Sequence, residues 1–210
     1  MITPFKKRLN VDITSRLKDI GFEKKGIIYV FSNNQDSALS LNITSRRSYE
    51  KNVIVLSVHV GVSIQSVNRL FIRLNNLPEK NRYISEYMFI VGSNLGYLMP
   101  EKGYKEWFFN EFTYSEETLN EMVDTIKKYA FHYYEGRNSL ESLCHYVYET
   151  NEINTHIRRD EYYPIILYLS DKKNEAIRYV TQIRDSKRYK GPDGENYIRF
   201  TENFLQLTKL

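Results

Sequence analysis

Apolar and polar side chains alternate most regularly between Val53 and Val62. The even-numbered positions of this stretch are all apolar, whereas the odd-numbered set ends in Ser57, His59 and Gly61. Successive side chains of an extended strand point to opposite faces of a sheet, and β-branched residues favour strands. The pattern therefore predicts a strand whose even-numbered face packs on a core. We expect the rest of the chain to be organised around this strand.

Similar alternation predicts two earlier strands, at residues 27–32 and 38–46, with a turn at residues 33–36 between them. Within the second of these, Leu39, Leu41 and Ile43 are expected to face inward, and the register that matches apolar faces places Leu41 near Leu56 or Val58 of the central strand. Short links between three consecutive strands favour an antiparallel meander. Later apolar runs predict a strand at 87–91, its continuation at 97–99 after a turn at 92–96, and a last strand at 106–112.

Helical periodicity marks both ends of the chain. Thr3 and Pro4 predict the start of a first helix, because threonine is a good N-cap and proline is tolerated in the first turn. Gly21 is expected to end this helix in a left-handed conformation, with Phe22 folding back on Leu17. Its apolar stripe recurs at helical spacing and consists of Phe5, Leu9, Ile13, Leu17 and Ile20.

Ser63 predicts the cap of a second helix that ends before Leu77 and Pro78. From Ser115 onward the apolar spacing stays helical. It predicts helices over about residues 115–135, 139–147, 162–169, 174–184 and 195–207, with a turn at residues 191–194. The predicted fold class is therefore α+β. An N-terminal helix and a mainly antiparallel sheet of about five strands are expected in residues 1–114. A bundle of about five antiparallel helices, from residues 115–210, is expected to pack on them. The two parts could also form one continuous domain.

Composition narrows the class of protein. The chain has 210 residues and a single cysteine, Cys144, so no internal disulfide can form and a reducing cytoplasm is expected. The first ten residues contain no apolar stretch of the kind found in signal peptides, and the longest apolar run is too short to span a bilayer. Net charge is unevenly placed, with an excess of basic residues in 1–30 and of acidic residues in 115–160.

His59 is the first candidate site residue. In the register that matches apolar faces, it shares the second face of the sheet with Ser40, Asn42 and Ser57. Such a face suits a small ligand, or a reaction in which His59 acts as acid or base. An ordinary solvated histidine on an antiparallel sheet has the same pattern, and we favour this simpler interpretation.

Tyrosine is abundant, with 18 residues, of which 11 follow residue 114. Tyrosine combines an apolar body with a polar tip and is enriched at protein interfaces. The clustered tyrosines therefore suggest a partner-binding surface, although they would equally suit the boundaries between packed helices. The candidates are Tyr133, Tyr134, Tyr146, Tyr148, Tyr162 and Tyr163.

Basic residues near the N-terminus suggest a third possibility, a nucleic-acid surface. Packing against an acidic helix of the same protein would explain them as well, and we regard nucleic acid as the weaker hypothesis. The residues are Lys6, Lys7, Arg8, Arg16, Lys24, Lys25, Arg46 and Arg47.

Catalytic and metal-binding motifs are weakly represented. Cys144 and His145 are neighbours on a predicted helix and point about 100° apart, so they cannot form a nucleophile–base pair with each other. Glu23 and Lys25 match the spacing of some metal-dependent nucleases, but they lie in a predicted turn. The four histidines are far apart in sequence, and no glycine-rich phosphate loop is present. We therefore expect no cofactor and no bound metal.

Several segments together resemble an uncharacterised family of bacterial domains. They are FKKRL, LKDIGFEKKG and YVF, then ALSLNITSR and VIVLSVHVGV, then GYL and EWFF with the helical tail. The family's Asn-x-Gly in the central strand is replaced here by His59-Val60-Gly61. The resemblance implies a bacterial, cytosolic protein of this fold and supplies no catalytic residue. The matching structural positions are Phe5, Leu9, Leu17, Gly21, Phe22, Lys25, Gly26 and Trp107.

The sequence thus leads to three functional hypotheses. The first is a non-enzymatic module that presents a sheet face or a tyrosine-rich helical surface to a protein partner. The second is a small-ligand-binding protein or enzyme that uses the His59 region. The third is nucleic-acid binding through the basic N-terminal region.

Overall fold

The structure is a computed structural model that describes residues 4–32, 36–78, 86–150, 156–186 and 188–209. Within these ranges, six strands form one sheet. They are β1 (Glu23–Lys25), β2 (Ile28–Phe31), β3 (Ser37–Arg47), β4 (Val53–Ile64), β5 (Val91–Asn94) and β6 (Trp107–Asn110).

Strands β1 to β5 follow one another across the sheet in chain order, and β6 also pairs with β4. Strand β2 is antiparallel to β3 and places Tyr29 opposite Leu41. Strand β6 is antiparallel to β4 and places Trp107 opposite Leu56. The predicted α+β class and the mainly antiparallel sheet are confirmed, and the sheet gains one strand, β1, that the sequence pattern did not predict.

The even-numbered side chains of β4 are buried, as the alternation predicts. Ile54 is the most exposed of them at 8%. Helix α1 (Pro4–Asp19) lies on this side of the sheet, where the hydroxyls of Thr14 and Tyr29 are 2.9 Å apart. The ring of Phe5 contacts the ring of Tyr114, which in turn contacts Phe109 of β6. Burial of this apolar face is the main stabilising term for this part of the fold.

Helix α1 ends as its sequence predicts. Gly21 has a φ of 92°, and its amide donates to the carbonyl of Lys18 at 2.9 Å. The amide of Phe22 donates to the carbonyl of Leu17 at 2.9 Å, which completes a Schellman motif. The predicted cap residue Thr3 lies outside the described residues.

The remaining helices are mostly in the C-terminal half. Ser115 accepts a hydrogen bond from the Glu117 amide at 3.0 Å and caps the helix that begins at Glu116, as predicted. No helix of the described ranges is both long enough and apolar enough to cross a bilayer. The helices are α2 (Gln65–Leu74), a 3₁₀ helix (Leu95–Leu98), α3 (Glu116–Thr125), a π-helical turn (Ile126–Ala130), α4 (Phe131–Glu135), α5 (Leu140–Thr150), α6 (His156–Leu169), α7 (Lys173–Asp185) and α8 (Gly191–Leu207).

Two compact units can be distinguished, each built from two segments of the chain. The first comprises Met1–Val62 and Gly92–Gly136, and the second comprises Ser63–Val91 and Arg137–Leu210. The first unit holds most of the sheet with α1, α3 and α4. In the second unit, α6 packs against α2, α5 and α7. The division at residue 114 that the sequence predicts groups the segments differently and stays a prediction.

A buried carboxylate lies in the second unit. Asp160 of α6 has an exposed fraction of 0%. It accepts hydrogen bonds from the hydroxyl of Tyr179 at 2.6 Å and from the hydroxyl of Tyr189, and Arg188 donates to it at 3.1 Å. Burial and the bond to Asp160 raise the pKa of both phenols. These contacts tie α6, α7 and the segment before α8 together.

The segment between α2 and β6 differs from the sequence-based prediction. Residues 87–90 are irregular, β5 occupies residues 91–94 where a turn was expected, and Leu95–Leu98 is a 3₁₀ helix instead of a strand. The reason is local. The side chain of Asn94 accepts from the Gly96 amide at 2.9 Å, and this Asx-type bond turns the chain immediately after β5.

Three further predictions were wrong. Ser63 belongs to β4, and Ile64 occupies the N-cap position of α2 without a side-chain cap bond. Residues 23–25, predicted as a turn, form edge strand β1, because β2 offers them an antiparallel partner. The turn predicted at residues 191–194 is the first turn of α8, where the fixed φ of Pro192 favours helix initiation.

Candidate functional site

Polar side chains of β3 and β4 share one face of the sheet. Thr44 Oγ1 and Ser57 Oγ lie 2.7 Å apart and form a hydrogen bond. Because alternate residues of a strand point to the same side, Asn42 lies on the face of Thr44, and His59 lies on the face of Ser57. These four side chains therefore share the face of the sheet opposite to α1, where Thr44 is exposed, Asn42 and His59 are half-buried, and Ser57 is closed to solvent at 6%.

Ser40 was predicted to belong to the same surface. It lies on the same side of β3 as Asn42, but its exposed fraction is 0%, and its Oγ has no hydrogen-bond partner among the described residues. An unsatisfied buried hydroxyl costs about 1–3 kcal/mol. Ser40 is thus closed to solvent, and the accessible part of the polar face begins at the half-buried Asn42.

His59 is half-buried at the centre of this face. Its ring meets the ring of Tyr104 edge-on, with 6.4 Å between the centroids. Burial lowers the pKa of the His59 imidazole below its usual value, which is about 6.5. The ring is consequently neutral at pH 7 and can both donate and accept a hydrogen bond.

The segment that carries Tyr104 is held by Asn94. The Asn94 Oδ1 accepts from the amides of Gly96 at 2.9 Å and Lys105 at 3.1 Å. Gly96 packs so closely that a Cβ at this position would lie 2.1 Å from the Gly103 carbonyl oxygen. The 3₁₀ helix after β5 and the segment before β6 therefore form one tightly packed pair that sets the position of Tyr104.

Two further rings extend the aromatic surface. Phe108 lies opposite Val55 in the β4–β6 pairing, so it shares the face of Ser57 and His59, and it is 59% exposed. Tyr97 lies 6.4 Å from Tyr104, and these two rings are 51% and 54% exposed. We use the name His59 face for the surface formed by Asn42, Thr44, Ser57, His59, Tyr97, Tyr104 and Phe108.

A charged pair borders the His59 face. Arg46 donates to both carboxylate oxygens of Glu106, at 3.2 and 2.8 Å. Glu106 precedes β6 directly, so the bidentate bond joins β3 to the end of the segment that carries Tyr104. Bidentate arginine–carboxylate pairs have a defined geometry, and this pair therefore limits the movement of that segment.

The geometry of the His59 face suits binding more than chemistry. It offers exposed aromatic rings, a neutral histidine and two hydroxyls that are already bonded to each other. Aromatic rings supply large contact areas at small cost in conformational entropy. The arrangement can accommodate an apolar or planar group over the rings, with His59 supplying one directional hydrogen bond.

We expect the pKa of His59 to depend on Tyr104. Because the folded-state pKa is lowered, the unfolded chain takes up a proton first, and His59 reduces the free energy of unfolding as the pH falls below about 6.5. In a Tyr104→Ala variant the ring becomes more exposed, and its pKa should rise towards the usual value. An NMR titration of the histidine ring protons measures this, and an unchanged pKa would show that Tyr104 does not bury His59.

The structure separates the predicted tyrosines into buried and accessible residues. Four lie in the interior and pack as core residues: Tyr133, Tyr134, Tyr162 and Tyr163 are at most 8% exposed. Tyr146 is half-buried and lies under the guanidinium of Arg137 at 3.9 Å, whereas Tyr148 is 73% exposed. The surface of α5 therefore offers a partner one fully accessible ring from this set.

The predicted basic residues do not form one patch. Lys7 is exposed on α1, and Lys24 lies over the ring of Tyr29 at 5.2 Å. Lys6, Arg46 and Arg47 line a cleft at the end of the β3–β4 hairpin. Acidic neighbours lie within ion-pair distance of several of these residues, in the pairs Arg8–Asp12, Arg16–Glu116, Lys25–Glu23 and Arg46–Glu106.

The other motifs of the sequence have ordinary surroundings. Cys144 is a buried free thiol, and His145 faces Glu149 at 3.3 Å on the exposed side of α5. Glu23 pairs with Lys25 at 2.8 Å on edge strand β1. Within the described residues, no group of His, Cys, Asp and Glu has the arrangement of a metal site.

The aromatic part of the His59 face does not follow from the sequence pattern. Tyr97, Tyr104 and Phe108 come from three different elements, and no periodic pattern connects them. The exposure of Phe108 alone could have been inferred. Large residues occupy both faces of the strand Trp107–Asn110, and since Trp107 and Phe109 are buried, Phe108 must point to the other face.

The resemblance to an uncharacterised bacterial family concerns turns and packing positions, and Gly21, Phe22 and Trp107 do have those structural roles here. This agreement supports the local structure of the segments and leaves membership of the family a prediction. Comparisons of the chain with protein-family models, with curated proteins and with solved structures find no match.

Proposed function

We propose that the protein is a non-enzymatic binding module that docks a protein partner on the His59 face. The observation that carries this proposal is the exposure of three rings, Tyr97, Tyr104 and Phe108, on or beside one face of the sheet. Exposed aromatic groups of this kind are enriched at binding interfaces. An accessory role in a bacterial cytoplasm is part of the same proposal and rests on the resemblance and on the free thiol of Cys144.

The chemistry of the partner follows from the face. Phe108 and the two tyrosines favour apolar or aromatic side chains. His59 is neutral at pH 7 and offers one directional hydrogen bond, and the Arg46–Glu106 pair at the border carries no net charge. A partner surface with a small apolar centre and few charges fits best, since interface centres are depleted in charged residues.

The test is affinity capture from lysate with three forms of the full chain. The site variant carries Tyr104→Ser and Phe108→Thr; threonine keeps a high strand propensity at position 108. The control is Tyr148→Ser, which removes a more exposed ring from α5. We expect a protein that the unaltered chain and the control retain and that the site variant loses.

The same partner, purified, should bind the site variant at least about 30-fold more weakly, because aromatic hot spots contribute about 2 kcal/mol or more. Equal retention by all three forms would place the interface elsewhere on the chain, and this would contradict the proposal. Capture of nothing by the unaltered chain would contradict it as well. A circular dichroism spectrum of each variant shows whether the fold is kept.

A small ligand or reaction at His59 is the second candidate, and the lowered pKa of that ring is the observation that favours it. The two candidates differ in one variant. His59→Gln keeps a hydrogen-bonding side chain and all three exposed rings. It should weaken protein docking by less than the site variant does, whereas it should abolish a ligand or reaction that depends on the imidazole.

A further inference from the structure

A cleft of about 490 Å³ opens at the end of the β3–β4 hairpin in the first unit. The first turn of α1 forms one wall and the hairpin forms the other. The Ser48 amide donates to the Val53 carbonyl at 3.0 Å, and the Glu111 amide donates to the Asn52 carbonyl at 2.9 Å. These bonds fix the backbone at the end of the hairpin. Small-molecule sites typically have volumes of about 300–1,000 Å³, and the cleft falls within this range.

Basic groups outnumber acidic groups in the cleft. Lys6, Arg47 and Lys51 line it together with the carboxylates of Glu50 and Glu111. A fourth lining cation, that of Arg46, is held by Glu106 outside the cleft. Helix α1 also begins at this wall, and its first turn contains no acidic residue. The positive end of the helix dipole is therefore not compensated by a carboxylate of that turn, and the cleft favours a negatively charged group.

The floor of the cleft is apolar. Phe5 and Ile54 line it on the side of α1, with exposed fractions of 7% and 8%. Tyr49 at the rim is fully exposed and can lie against a flat ring. An inorganic ion would contact only the basic rim. A molecule with an apolar, planar body and an anionic group would contact the floor, the rim and Tyr49 together.

We propose that this cleft binds a small organic phosphate with a planar ring, of about the size of a nucleoside monophosphate. The phosphate lies between Arg47 and Lys51, and the ring lies over Phe5 and Ile54 with Tyr49 against its outer side. Arg47 provides a planar fork that matches phosphate oxygens. The site shares no residue with the set that forms the His59 face, although Arg46 lies beside both, so it neither requires nor replaces docking at that face.

Calorimetric titration of the full chain with three probes tests the proposal. Adenosine monophosphate should bind, adenosine should bind at least about tenfold more weakly because it lacks the charge, and inorganic phosphate should be weaker than the monophosphate because it lacks the ring. Binding of the monophosphate should weaken as salt is raised. Equal affinity for adenosine and its monophosphate would overturn the proposal, as would no binding at millimolar concentrations.

Two charge-reversal variants locate the site. Arg47→Glu and Lys51→Glu should each reduce the affinity for adenosine monophosphate by about tenfold or more. The matched control is Lys127→Glu, which makes the same change of charge on an exposed residue outside the cleft. An equal loss of affinity in all three variants would mean that net charge alone attracts the ligand, and the assignment of the site to this cleft would be wrong. Much tighter, steeply salt-dependent binding of a single-stranded oligonucleotide would overturn the small-molecule assignment in favour of nucleic acid.

Discussion

Replacement of Asp160 by asparagine is expected to lower the free energy of unfolding by about 3 kcal/mol. Asp160 is fully buried and accepts from Tyr179, Tyr189 and Arg188. Asparagine has nearly the same shape but turns an NH₂ group towards these donors, so at least one of them loses its acceptor. Arg188 is 42% exposed and can bind water in the variant. The decrease in the free energy of unfolding should therefore lie at the lower end of the range for breaking a buried charge pair.

Unfolding in urea, monitored by circular dichroism, measures the effect. The urea midpoints of the two proteins can be compared directly if the dependence of the unfolding free energy on urea concentration is the same in both. Asp124→Asn is the matched control, because Asp124 is exposed on α3 and its replacement should change stability by less than about 0.5 kcal/mol. If the two variants had the same stability, the hydrogen bonds around Asp160 would contribute nothing net. Tyr179→Phe should then also be neutral, whereas we expect it to be destabilising.

Replacement of Gly96 by alanine is expected to cost about 1–3 kcal/mol and to displace the segment that carries Tyr104. The new Cβ would lie 2.1 Å from the Gly103 carbonyl oxygen and 2.6 Å from the Lys105 amide nitrogen. Backbone atoms cannot move aside as a flexible side-chain end can, so the two chain segments must separate. The edge-on contact of Tyr104 with His59 should be lost as a result.

Gly103 provides a matched control on the same segment. A Cβ at Gly103 would meet nothing within 4 Å, so Gly103→Ala should leave stability and the His59 ring signals unchanged. Urea midpoints give the stability of both variants, and the NMR signals of His59 report the position of Tyr104. A Gly96→Ala variant with an unaltered His59 spectrum would show that the segment tolerates the methyl group, and the proposed support of the His59 face would be wrong.

Local patterns in the sequence were sufficient for several elements. The alternation at residues 53–62 predicted β4, and the Gly21–Phe22 sequence predicted the end of α1, because strand faces and helix caps depend on neighbouring residues. The hairpin of β1 with β2 and the turn that Asn94 makes with the Gly96 amide were missed, because both depend on which backbone groups pair and leave no mark in the apolar periodicity.

The candidate site was likewise predicted only in part from the sequence. Period-two alternation alone was enough to place Asn42, Ser57 and His59 on one face. Burial was less predictable: Ser40 is closed off although it belongs to the same alternation. The candidate tyrosines of the C-terminal half are mostly buried, because helix–helix boundaries use the same apolar body of tyrosine that interfaces use.

The sequence by itself determined the α+β class, the central strand and the polar composition of its second face, since these follow from short-range periodicity. Only the tertiary structure decided that Tyr104 packs against His59 with Tyr97 beside it, that Phe108 shares this side of the sheet, and that Lys6, Arg47 and Lys51 line one cleft. Both sets join side chains that are far apart in the chain. Their proximity results from strand pairing and close backbone packing, which no local pattern of residues encodes.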